Sequence, residues 1–116
     1  NKVVPEMIKQ HSGKIVSVSS RMGRIASQMG AYAVAKAGIV TMTKTTAIQT
    51  KEHGIQCNAV APGIVDTPGQ RVYNHSVGQD GVAMGNAEDV AKAIVYLLAD
   101  APFVMTGQVI DLFTTV

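Results

Sequence analysis

Lys14-Ile15-Val16-Ser17-Val18-Ser19-Ser20 and, downstream, Ala31-Tyr32-Ala33-Val34-Ala35-Lys36 are the stretches that decide how this chain folds. The first is a short run of β-branched and small residues with little alternation, the pattern of a parallel strand buried on both faces. The second opens a helix, on which residues four apart share a face, so Tyr32 and Lys36 serve one site. A phenol with a fixed cation one turn away exchanges its proton more readily than a phenol alone. Ser20 closes the strand, and the carboxyl end of a strand is where an α/β fold presents its chemistry. Together these residues predict a proton-transfer site of Ser20, Tyr32 and Lys36.

Upstream of the strand, Lys2 to Gln10 reads as a helix with Val3, Val4, Met7 and Ile8 as its apolar stripe. Pro5 is tolerated there because it falls near the helix start. His11-Ser12-Gly13 stops the helix and turns the chain. Beyond the strand, Arg21 to Gly30 is a loop, and a helix from about Ala31 to Glu52 follows, ended by Gly54. The first half of that helix is small or apolar on most sides and needs cover on most sides. The sheet covers one side, and a second copy of the chain suits the other, which predicts a homo-oligomer through the Ala31–Glu52 helix.

A second strand, Ile55 to Ala61, runs into Pro62-Gly63-Ile64-Val65-Asp66-Thr67-Pro68. Thr67 to Ala87 reads as a mobile connection of the kind that forms lids, with one short helix near Arg71 to Val77. Glu88 and Asp89 open the next helix, where negative charge suits the dipole, and Asp100-Ala101-Pro102 ends it. Gly107 to Leu112 is the third strand. Strands alternating with helices predict an α/β fold, a parallel sheet of three strands with flanking helices.

Composition bounds the function. A chain of 116 residues is at most one domain, and 47% hydrophobic with 16% charged residues is a globular composition. A formal charge of +2 with no basic run argues against a nucleic-acid partner. No apolar stretch approaches the ~18 residues of a membrane span, and the N-terminus has no signal-peptide pattern. Cys57 is the single cysteine and lies in an apolar strand, which predicts a buried, inert thiol and a reducing, cytoplasmic setting. His11, His53 and His75 fit no ligand spacing with one another or with Cys57, so no metal site is expected. Asp66 reads as a residue that structures its turn, and Met22, Met29 and Met84 read as loop residues near the cleft or as filler. Arg21 and Arg24 follow the serine pair, either to favour an anionic group or as solvated loop charges.

The strand ending in Ser19-Ser20, the helix carrying Tyr32 and Lys36, and the strand leading into Pro62-Gly63 together resemble the short-chain dehydrogenase/reductase family. The resemblance implies a Rossmann-type domain of which residues 1–116 form the C-terminal, catalytic portion, without the N-terminal half that binds the dinucleotide phosphates. It implies an oxidoreductase using NAD or NADP to interconvert a small-molecule carbonyl and alcohol. Tyr32 would be the general acid or base, and Lys36 would assist it and hydrogen-bond the nicotinamide ribose. Ser20, rather than Ser19, would hold the substrate oxygen. Pro62 and Gly63 would shape the nicotinamide pocket, with the Ile64 backbone and the Thr67 hydroxyl near the carboxamide. Thr106-Gly107-Gln108-Val109-Ile110-Asp111 matches the family's last strand, whereas Leu112 to Val116 replace its closing glycines. The alternative is a catalytically silent truncated fragment, at most a dimerisation or scaffold remnant. With one side of the Lys14–Ser19 strand lacking its usual neighbour, the isolated chain is expected to self-associate or be poorly soluble. A well-behaved monomer in sedimentation would count against that incomplete sheet.

Overall fold

In the computed structural model, which describes residues 2–26 and 28–113, local stop signals set most of the element ends. Helix α1 spans Val3–Gln10 with Pro5 in its first turn, and it ends at His11 in the left-handed conformation, φ 49°. Strand β1 is Gly13–Val18. A side chain at Gly13 would collide with Met7, so the missing Cβ is what lets α1 fold back on the strand. A 3-10 turn, Arg21–Gly23, follows, and α2 runs over Gly30–Thr50. Its last turn tightens to a 3-10 turn at Lys51–His53, and Gly54 then turns the chain with φ 73°, a conformation that glycine adopts without steric penalty. β2 is Ile55–Pro62, α3 is Pro68–Ser76, α4 is Ala87–Ala99 and β3 is Val109–Leu112.

The three strands are parallel in the order β1-β2-β3, a partial Rossmann-like α/β sheet. Gly13 lies opposite Ile55 and Val18 opposite Val60, while Ala59 lies opposite Val109 and Pro62 opposite Leu112. Every residue of β2 is buried, so both of its faces are covered, and α2 and α4 are the long helices that pack on it. Val60 meets Leu97 and Ala101, joined by Val16, Ile94, Ile110 and Leu112, which places α4 over one face. Because side chains alternate along a strand, Ile55, Cys57, Ala59 and Ala61 project to the other face. The small bulk of Cys57, Ala59 and Ala61 lets α2 approach with Thr43, Ala47 and Thr50 buried. The two threonine hydroxyls are satisfied within the helix, on the carbonyls of Ile39 and Thr46 at 2.8 Å each.

Cys57 is buried, as the sequence predicts, and burial pushes its thiol up from the ordinary range. The thiolate is the reactive form. Alkylation of the native chain is therefore expected to be slow at neutral pH and to speed up sharply on adding denaturant. A thiol-reagent time course that is fast without denaturant would contradict this.

Two polar residues of β2 hold the segment that leads to β3. Asn58 donates to the Met105 carbonyl at 2.7 Å and accepts from the Gln108 N–H at 2.9 Å. Gln56 donates to the Pro102 carbonyl at 2.8 Å, and the Cys57 N–H reaches the Thr106 hydroxyl at 3.1 Å. Gly107, with φ 75°, donates its N–H to the Cys57 carbonyl. Residues 105–108 are thus tied to β2 before β3 begins at Val109, two residues later than the sequence suggests.

β1 departs from expectation: it is half-exposed rather than buried on both faces, because β2 is its one strand neighbour among the described residues. The surface shows the same incompleteness. The accessible area is 7389 Å², against about 6,100 Å² expected for a compact chain of this mass. The body measures 50 × 27 × 26 Å, and Val34, Met42 and Ile48 of α2 lie exposed. No helix among the described residues is long and apolar enough to cross a membrane.

Candidate active site

The residues expected to carry catalysis or hold the nicotinamide sit near the carboxyl end of a parallel strand or on the element that follows it. Ser19 and Ser20 leave β1 and are both buried. The Ser19 hydroxyl donates to the Lys36 carbonyl at 2.8 Å, so it is spent on clamping α2 to the strand end. The Ser20 hydroxyl accepts from the Met22 N–H at 3.2 Å, capping the 3-10 turn, and its own proton is left to donate. Gly23 in that turn rests against the backbone of Lys36 and Ala37, where any side chain would collide.

Lys36 and Tyr32 lie one turn apart on α2, as the spacing requires. The Lys36 ammonium donates to the Val18 carbonyl at 3.1 Å and stands 5.6 Å from the centre of the Tyr32 ring. Tyr32 is 44% exposed, and its hydroxyl makes no hydrogen bond among the described residues. An ammonium has three protons to give, so two remain after Val18. The structure therefore brings the Lys36 ammonium to both the Tyr32 ring and the end of β1.

Pro62 ends β2, and the Gly63 N–H donates to the Leu112 carbonyl at 3.3 Å. A side chain at Gly63 would meet Phe113 at 2.8 Å. Ile64 accepts from the Gly85 N–H at 2.7 Å, Asp66 donates its N–H to the Gly85 carbonyl at 2.8 Å, and Val65 bridges to Gly85. The connection expected to be mobile is thereby pinned along its return path. The Ile64 N–H itself has no partner among the described residues. Thr67 caps α3, its hydroxyl accepting from the Gln70 N–H at 3.2 Å. That cap starts α3 at Pro68, three residues before the position expected from the sequence.

Asp66 pairs with Arg71 through both carboxylate oxygens, at 2.5 and 2.8 Å. The hydrogen bonds from Arg71 hold the Asp66 carboxyl below the usual carboxylate range. A depressed acid contributes to stability above its unfolded value, about 3.9, and loses that contribution as pH falls through the folded value beneath it. The start of α3 is accordingly expected to stay formed through neutral and mildly acid pH and to loosen only below the ordinary aspartate range. Amide shifts of Thr67 to Arg71 followed by NMR should lose that acid transition in Asp66→Asn.

Arg24 pairs with both carboxylate oxygens of Asp111, at 2.8 and 3.3 Å, so it structures the loop and is not available to a ligand. Arg21 lies over the Phe113 ring at 5.1 Å. Met84 accepts from the buried Asn74 amide at 3.5 Å, a packing role. Among the described residues no group of three or more His, Cys, Asp or Glu is placed to hold a metal ion.

Comparison with known proteins places the chain in a family. The family model for enoyl-(acyl carrier protein) reductase matches residues 1–112. The 3-oxoacyl-[acyl-carrier-protein] reductase FabG of Thermotoga maritima is 40% identical over 118 residues, covering 95% of this chain and 48% of that protein. The chain belongs to the short-chain dehydrogenase/reductase family. Another member of that family, the 7alpha-hydroxysteroid dehydrogenase of Bacteroides fragilis, is 38% identical over 93% of this chain and 45% of its own. The solved structure of ElxO with NADP bound superposes with a TM-score of 0.85 at 29% identity, covering 95% of this chain and 48% of that one. The chain spans about half the length of these short-chain relatives.

Proposed function

We propose that residues 1–116 are the C-terminal, catalytic portion of an NAD(P)-dependent oxidoreductase that interconverts a carbonyl and an alcohol through Ser20, Tyr32 and Lys36. The observation that carries this reading is the seat of Lys36, bound to the Val18 carbonyl at 3.1 Å and set beside the Tyr32 ring. In reduction the Tyr32 hydroxyl gives its proton to the substrate oxygen, and in oxidation it takes that proton back. Ser20 keeps a free proton with which to hold the same oxygen. Lys36 sets a positive charge beside the phenol and has protons left for a nicotinamide ribose.

The loop after β2 fits a nicotinamide. The Ile64 N–H, without a partner among the described residues, is a donor for the carboxamide, Gly63 and Pro62 form the floor against Phe113, and the Thr67 hydroxyl retains its proton. A bound nicotinamide supplies or accepts the hydride, and the protein supplies position and proton. The partners are a small-molecule carbonyl or alcohol and, through the exposed Val34, Met42 and Ile48 on α2, a second copy of the chain. The setting is cytoplasmic.

A second reading rests on coverage. The 116 residues contain no Gly-rich strand-to-helix turn, the element that holds dinucleotide phosphates. On that reading these residues alone are a catalytically silent scaffold or dimerisation unit. Calorimetric titration with NADH and NADPH separates the two. Nicotinamide absorbance is then followed with a 3-oxoacyl compound and a 7alpha-hydroxysteroid, the compound classes in the names of the two relatives. Binding with turnover supports the reductase, and absence of any dinucleotide binding supports the silent unit.

A further inference from the structure

We propose that Arg21 is the recognition group for an anionic substituent, a carboxylate or a phosphate, carried by the molecule that enters the Ser20 site. The inference takes from the reductase reading only that a substrate enters there. The rest is geometry.

The chain has three arginines. Arg24 and Arg71 each grip a carboxylate with two nitrogens, Asp111 and Asp66 respectively. Arg21 has no such partner. Its Nε is enclosed and makes no hydrogen bond, and a buried donor left unpaired is uncommon enough to need a reason. Nη1 and Nη2 are not enclosed in this way and donate to nothing among the described residues.

The guanidinium is nevertheless not loose. It lies over Phe113 at 5.1 Å, and Phe113 in turn backs Gly63. The aromatic ring restrains it, and the stem begins one residue after Ser20. A guanidinium held against a ring with Nη1 and Nη2 free can bind a carboxylate or phosphate through two parallel bonds. Among the described residues no carboxylate pairs with it, and both oxygens of Asp111 are already engaged by Arg24. Lys36 close by is paired with a carbonyl rather than a carboxylate. Two uncompensated positive charges thus flank the end of β1, and that field favours an anion.

The test uses matched pairs that differ in one charged group: levulinate against its methyl ester, and dihydroxyacetone phosphate against dihydroxyacetone. Each is titrated calorimetrically into the chain, into Arg21→Met and into Arg21→Lys, with circular dichroism to confirm folding. The expected result is that the unsubstituted chain prefers at least one charged member by roughly 10- to 100-fold. The preference should collapse to about one in Arg21→Met, survive in part in Arg21→Lys and shrink with added salt. Which pair shows it tells carboxylate from phosphate. Equal affinity within both pairs, no binding of any member, or a preference that persists in Arg21→Met overturns the proposal. Arg21→Lys carries the test if Arg21→Met does not fold, since the planar fork is then the one feature removed; affinity unchanged in that variant also overturns it. Charge preference without nicotinamide-dependent turnover would leave this inference standing and the reductase reading fallen, and turnover without charge preference would do the reverse.

Discussion

Tyr32→Phe is expected to lower nicotinamide-dependent turnover by roughly 10²- to 10⁴-fold and to leave the thermal midpoint unchanged. The substitution removes one oxygen. That oxygen bonds to nothing among the described residues, and the ring is 44% exposed, so no packing or internal hydrogen bond is lost. Phenylalanine also keeps the ring face beside the Lys36 ammonium. What disappears is the proton donor, an interaction made as the substrate oxygen gains charge, so the loss should fall on kcat rather than KM. Lys36→Met is the informative contrast. It removes the charge and also the bond that ties α2 to the Val18 carbonyl, so turnover and stability should both fall. A Tyr32→Phe variant that turns over at the original rate would remove the phenol from the chemistry.

The parts of the fold legible in the sequence were those written in local signals. Gly54 ends α2 because a left-handed residue was needed there, and the apolar runs of β1 and β2 stand out between polar turns. The start of α3 is equally local: Thr67, Pro68 and Gln70 form a cap, a first-turn proline and a third-position glutamine, a helix-start signature three residues ahead of the apolar pattern. Other features depend on residues far along the chain. Arg21 and Arg24 are indistinguishable as loop arginines, and Asp111 sorts them from 87 residues away. Gln56 and Asn58 read as interruptions of an apolar strand until the carbonyls of Pro102 and Met105 are seen above them. The half-exposure of β1 is of the same kind, since burial of a strand depends on neighbours that its own residues do not specify. At the site, the 32–36 spacing located the tyrosine and lysine on one face. It did not show that Ser19 would be spent on the Lys36 carbonyl, leaving Ser20 with the free proton.

Asn58→Leu is expected to destabilise the chain by about 1–3 kcal/mol, although leucine keeps the branched heavy-atom skeleton of asparagine and is more apolar. Asn58 is 1% exposed and fills both halves of its amide, donating to Met105 and accepting from Gln108. Leucine leaves the Gln108 N–H without the acceptor that Asn58 gave it. The Met105 carbonyl fares better, because Gln56 still reaches it at 3.3 Å. Most of the cost therefore lies on Gln108, and that residue is where β3 is seated: its carbonyl takes the Ala59 N–H at 2.9 Å. Unseating it frees Val109 to Leu112, then the Leu112 carbonyl that holds Gly63, then Phe113 beneath Arg21. The loss should appear as a fall of roughly 5–10 °C in the thermal midpoint, with amide exchange accelerated first in β3. Asn58→Asp separates the two bonds. An aspartate still accepts from Gln108 but donates to Met105 only when protonated, so that variant should recover stability as pH is lowered, and Asn58→Leu should not. A midpoint within about 3 °C of the original for Asn58→Leu would mean that β3 is held by its apolar contacts with Val60 and Leu97 rather than by the amide beneath it.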